Sequence, residues 1–138
     1  PALTEQNRQV LKRADLVLIP TRPSPNDLWS LGATLDLVKE SETPFAFVLT
    51  QAKANARITV QTIAALSQHG QVFQSVVHDR VDYASSMTDG RTALEINPNS
   101  PAALEIAELW GFTKKRISEL AKTSELANTN QKRVKVHA

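Results

Sequence analysis

The residues best placed to do chemistry in this chain stand where apolar runs stop. Thr21, Arg22 and Pro23 follow the run at 16–19, Thr50 and Gln51 follow the one at 45–49, and His78 and Asp79 follow a third that closes at Val77. If these runs are parallel strands, their carboxyl ends share one edge of a sheet, and ligands in open α/β sheets bind outside that edge. Gln51 brings both a donor and an acceptor, a combination suited to the edge of a heterocyclic base. The bland reading is that polar side chains simply end buried strands, and for any one residue taken singly it is the stronger.

Basic residues form the second group. Lys53 and Arg57 stand four apart at the start of a predicted helix, and Lys114, Lys115 and Arg116 form a run on a later one, followed by Lys122, Lys132, Arg133 and Lys135. Such clusters are all that phosphate neutralisation requires. They also describe an ordinary solvated helix face, and Glu119 is close enough in sequence to mute part of the run. Other chemistry is poorly served. His69, His78 and His137 lack metal-ligand spacing. Ser85 and Ser86 lack a nucleophile elbow, and Asp79 and Asp82 read as surface carboxylates. No catalytic residue and no metal ligand is assigned.

The elements that must position these groups follow from periodicity. A helix is expected over 4–14, with Thr4 as its cap, and a strand over 16–21 ended by Pro20. Ser24, Pro25 and Asp27 then open a helix over 25–40: a cap, a proline suited to the first helical position, and a carboxylate at the positive helix end. A strand over 45–50, a helix over 57–69 anchored by Ile58, Ile63 and Leu66, and a strand over 71–77 follow. Strands alternating with helices of crossover length predict a parallel sheet. Beyond it are expected a loop and short helix ending at Gly90, with Tyr83 and Met87 turned inward, then an extended segment over 92–96. Ser100 and Pro101 start a last helix with Ile106, Trp110, Thr113, Ile117 and Leu120 on its inward face. The reading divides the chain into one α/β domain, residues 1–122, and a polar, basic, disordered tail, residues 123–138.

Composition bounds the class. The chain has 138 residues, 41% of them hydrophobic, enough for one core; it has no cysteine and a net charge of only +2. With no signal peptide evident, a cytoplasmic location is expected. No apolar run approaches the ~20 residues needed to span a bilayer, so no membrane partner is expected. The four glycines, Gly32, Gly70, Gly90 and Gly111, do not build a G-x-x-x-x-G-K-[ST] loop.

One pattern goes further. Pro20, Pro23, Ser24, Pro25, Asp27, Leu28 and Gly32, following an apolar strand, resemble a segment of the ParA family of deviant-Walker partition ATPases. Arg80, Tyr83, Ser86, Asp89 and Gly90 resemble the family's segment after the last sheet strand, and the similarity runs over about residues 3–119. The resemblance implies the carboxyl-terminal half of a P-loop NTPase (ParA-like) fold, a mainly parallel sheet flanked by helices. It implies Mg²⁺ and ATP as cofactors, ATP-dependent dimerisation, nonspecific DNA and a partition adaptor protein as partners, and a nucleoid-associated location. By the same resemblance Thr50, Gln51 and His78 lie near adenine, and Lys53, Arg57, Lys114, Lys115 and Arg116 contact DNA. The family's phosphate-binding loop would precede Pro1, so this chain alone is expected to bind nucleotide poorly, to lack ATPase activity and to self-associate through an exposed sheet edge. The alternatives are a non-catalytic dimerising or adaptor module on the same scaffold, and a biosynthetic deviant-Walker enzyme.

Overall fold

A computed structural model of the chain describes residues 5–136, with side chains as far as residue 127. The chain runs α1 (Glu5–Lys12), β1 (Val17–Thr21), α2 (Pro25–Glu40), β2 (Phe45–Ala52), α3 (Arg57–Ser67), β3 (Val72–His78), α4 (Val81–Ser86), a 3-10 turn (Met87–Asp89), α5 (Ala93–Ile96) and α6 (Pro101–Val136). The strands form one sheet in the order β1-β2-β3, and both pairings are parallel, as the alternation of strands and helices predicts. The expected Thr4 cap lies outside the described residues.

The sheet separates two apolar layers. On one face Ile19, Phe47 and Leu49 pack with Leu31, Leu35 and Val38 of α2 and Leu66 of α3. Both crossover helices lie on this face, as they must when the sheet grows in one direction with a constant crossover hand. On the other face Ala46, Val48 and Phe73 meet Leu109 and Phe112 of α6. Phe47 is wholly buried and meets Phe45 edge-on, with ring centroids 5.6 Å apart.

Several local expectations are corrected. Pro20 lies inside β1 rather than ending it. The Val17 N–H bonds the Pro44 carbonyl, so the backbone of residues 17, 19 and 21 faces β2 and that of residues 18 and 20 faces outward. The missing N–H of Pro20 therefore falls on the open edge, where it blunts further strand pairing instead of breaking a ladder. Ser24 occupies the N-cap of α2 but its side chain makes no capping bond. Residues 92–96 are not extended: Thr92 and Glu95 close a capping box around α5, a T-x-x-E pattern that the β-branched and apolar residues around it disguise.

The inward face of α6 is also rotated from the expected one. The rotation is confined to the first half of the helix: Ile106 and Trp110 are exposed, Trp110 at 56%, while Ala102, Ala103, Glu105, Leu109 and Phe112 turn toward the sheet; Thr113 is buried and Ile117 and Leu120 are half-buried, as expected. The two stripes are adjacent on the helix, and the contacts of Glu105 and of Phe112 with Phe73 select between them. Met87 is 75% exposed and not tucked in beside Tyr83, and Ile58 is exposed rather than an anchor. Residues 123–136, expected to be disordered, continue α6. That stretch contains no proline or glycine to stop a helix.

Candidate functional site

The carboxyl ends of the strands gather at one edge, where residues 21–22, 50–53 and 78–80 come together. Each end is built differently. After β1, Asp27 in the first turn of α2 accepts hydrogen bonds from the Arg22 backbone at 3.2 Å and from its guanidinium Nε at 2.9 Å and Nη2 at 3.0 Å. The Arg22 guanidinium holds Asp27 below the usual carboxylate range. This fork fixes the turn between β1 and α2, which is why an aspartate follows the Ser-Pro start. Thr21 itself is buried, and its hydroxyl donates to the Ile19 carbonyl at 3.4 Å.

At the end of β2, Thr50 is half-buried and Gln51 is exposed. Gln51 has φ 51° and Asn55, in the following loop, φ 57°, both in the left-handed region. For a residue with a Cβ this conformation costs on the order of 1 kcal/mol; Glu42, in the loop before β2 at the opposite edge, shares it at φ 56°, so backbone strain does not single out the carboxyl edge. The β2 and β3 ends are joined by the Asp79 N–H, which donates to the Ala52 carbonyl at 3.0 Å.

At the end of β3 stands a cluster that the sequence reading missed. Glu105 of α6 is 12% exposed at its side chain. Its Oε1 accepts from His78 Nδ1 at 2.7 Å, Arg80 Nε at 2.9 Å and Arg80 Nη2 at 2.7 Å. Its Oε2 accepts from the His78 backbone N–H at 3.1 Å and the Tyr83 hydroxyl at 2.9 Å. Burial pushes this carboxyl up, but the bonds from Arg80, His78 and Tyr83 outweigh it and hold Glu105 at about 2. Burial pushes the Tyr83 phenol up, and the Glu105 carboxylate adds to that. The cluster locks α6 across the sheet and fixes the His78 ring at the carboxyl edge of the sheet with Nδ1 turned to Glu105. A signal was present in the sequence: Glu105 is a lone carboxylate in the otherwise apolar stripe Ala102, Leu109, Phe112. Its partners lie more than 20 residues away, and helical spacing carries no information at that range.

The structure thus brings Thr50, Gln51 and His78 to one edge. It does not bring the predicted basic residues together. Lys53 and Arg57 are exposed beside that edge. Helix α6 runs antiparallel to β3, with Glu105 at His78 and Lys115 and Arg116 beside Gln71 and Gln74 at the strand's amino end. The two basic groups are therefore separated by the length of β3, about 20 Å. Lys114 lies over the Trp110 ring, 5.6 Å from its centroid, and Arg116 faces Glu119 at 3.8 Å.

The implied cofactor fits these residues poorly. Among the described residues no group of three His, Asp or Glu is arranged to hold a metal ion. Gly32 and Gly111 lie within helices, Gly90 ends a turn, and a Cβ on Gly70 would stand 2.7 Å from the Phe45 ring, so its closeness serves packing. No glycine here approaches a phosphate cradle. Among the described residues no helix is long and apolar enough to cross a membrane. A cavity of about 540 Å³ between α4, α5 and α6 is walled by Met87, Leu94 and Ile106 and is apolar. Comparison with known proteins finds no matching family model and no matching curated protein.

Proposed function

We propose that this chain is the carboxyl-terminal part of a ParA-like ATPase for plasmid or chromosome partitioning, in which ATP-dependent dimerisation is coupled to nonspecific DNA binding. The observation that carries the reading is the unit made by β1, the Arg22–Asp27 fork and α2, which turns the Pro-rich motif into a rigid corner of a parallel sheet. Its neighbours at the same edge are Thr50, Gln51 and His78, which the reading assigns to the adenine side of a nucleotide. Gln51 presents a donor and an acceptor, and Glu105 fixes the His78 ring. ATP and Mg²⁺ supply the phosphoryl chemistry in such a protein; these residues do not fit its phosphate end, and no step of hydrolysis is assigned to them. The 138-residue chain is accordingly expected to release no phosphate from Mg-ATP above background, and robust Mg-dependent turnover in a phosphate-release assay would refute the division of labour.

The DNA half of the reading is tested by fluorescence anisotropy with a random-sequence duplex at low salt. Binding is expected in the nonspecific range, on the order of 10⁻⁴ to 10⁻⁶ M, weakening steeply with salt as phosphate contacts release counterions. Replacing Lys114, Lys115 and Arg116 with alanine should lower both affinity and salt slope, equally on unrelated sequences. No binding, or binding indifferent to the triple substitution, leaves these charges as a solvated helix face. The apolar cavity between α4, α5 and α6 favours the second reading, an adaptor or dimerising module, in that event.

A further inference from the structure

At the amino end of β3, away from the strand edge described above, α6 and the strand enclose a cleft of about 240 Å³. Its floor is Phe73 and Phe112, whose ring centroids lie 6.0 Å apart, and its lip carries Gln71, Gln74, Lys115, Arg116 and Glu119. The Arg116 guanidinium is the unusual group. Its Nε is shut off from solvent with no hydrogen-bond partner among the described residues, so the terminal nitrogens are the ones a cleft occupant would meet, and Glu119 stands 3.8 Å from Nη1, beyond hydrogen-bond reach. A guanidinium fork with unmatched donors favours an acceptor that offers several oxygens at once. Lys115 is exposed beside it, and among the described residues the side-chain amides of Gln71 and Gln74 have no protein partner. Lys114 does not join them, because its ammonium rests over Trp110.

We infer that this cleft binds a phosphoryl group. Arg116 and Lys115 neutralise its charge, and the amides of Gln71 and Gln74 donate to its remaining oxygens. Glu119 opposes the anion and swings away, which its loose contact with Arg116 permits. That the occupant is a phosphodiester of duplex DNA rather than a free phosphate rests on the proposed DNA-binding function; the chemistry of the cleft is the same for both.

The test combines amide chemical-shift titrations with anisotropy on the 138-residue chain. The probes are inorganic phosphate and a random-sequence duplex. The variants are Gln71→Leu with Gln74→Leu, Lys115→Ala with Arg116→Ala, and Lys114→Ala, each checked for an unchanged thermal melt. The leucine pair alters no charge, so it should weaken duplex binding about five- to tenfold while leaving the salt slope unchanged. Lys114→Ala should change the affinity by less than about twofold. Duplex binding that needs Lys115 and Arg116 but ignores the leucine pair overturns the cleft and leaves the DNA function standing. Inorganic phosphate moving the amides of Gln71, Gln74, Lys115 and Arg116 without any duplex binding upholds the cleft and overturns the DNA function. The absence of both responses overturns both.

Discussion

Replacing Glu105 with alanine should destabilise the chain by about 1–2 kcal/mol at neutral pH, because it leaves the His78 backbone N–H without its acceptor and the partly exposed Arg80 without its partner. Both Arg80 and His78 keep about a third of their side chains in water, which places the loss below that of a fully buried pair. The same cluster makes stability depend on acid. Glu105 is held at about 2 in the folded protein, below its ordinary value near 4.5. A carboxyl with a depressed folded pKa contributes its full stabilisation above the unfolded pKa and loses it as pH falls through the folded one. The window is therefore from about pH 4.5 down to about pH 2. Glu105→Gln preserves shape and removes the titration. The stability gap between wild type and the glutamine variant, measured by urea unfolding, should be greatest at neutral pH and close progressively through that window. A gap that is the same at pH 7 and pH 2.5 would mean that Glu105 is not the hub its contacts describe.

Phe47→Ala should have the larger effect, a loss of about 3–5 kcal/mol, the usual cost of emptying a phenylalanine site in a core. Phe47 sits on the central strand, is wholly buried, and contributes to the layer shared by α2, α3 and all three strands. Phe47→Leu keeps most of the volume and should cost less than about 1.5 kcal/mol. The check is the urea midpoint at constant m-value, since a fall in m would signal a changed denatured or native state instead. A loss under 1 kcal/mol for the alanine variant would remove Phe47 from the centre of the core.

The parts of the architecture that were legible in the sequence are the local ones. A continuous apolar run such as 45–49 can only be satisfied with both faces covered, and Pro25 after Ser24 sets a helix start by its own φ and missing N–H. Those features follow from the chemistry of neighbouring residues, so the three strands, their parallel arrangement and the helices between them are recovered to within a few residues, while the end of α6 is missed by more than three turns. The placement of Thr50, Gln51 and His78 at one edge then follows from strand direction alone. Pro20 marks the boundary of this kind of inference: its effect depends on which way its nitrogen faces, and the sheet, not the dipeptide, decides that.

What the sequence by itself determined is the order and type of the elements from α1 to β3, because helix and strand signals repeat over a few residues there; beyond β3 it mistook α5 for an extended segment and stopped α6 too early. Only the tertiary structure decided which face of α6 turns inward and which charges are free. The stripe with Ile106 and Trp110 and the stripe with Glu105 and Phe112 have the same helical period, and local apolarity favours the first. The second is buried because Arg80, His78 and Tyr83 saturate one carboxylate there while Phe73 meets Phe112. That rotation sets Lys114 over Trp110 and turns Arg116 toward the amino end of β3. A run of three adjacent cations becomes three different environments, because a helix turns about 100° between consecutive residues and the sheet fixes where that turn begins.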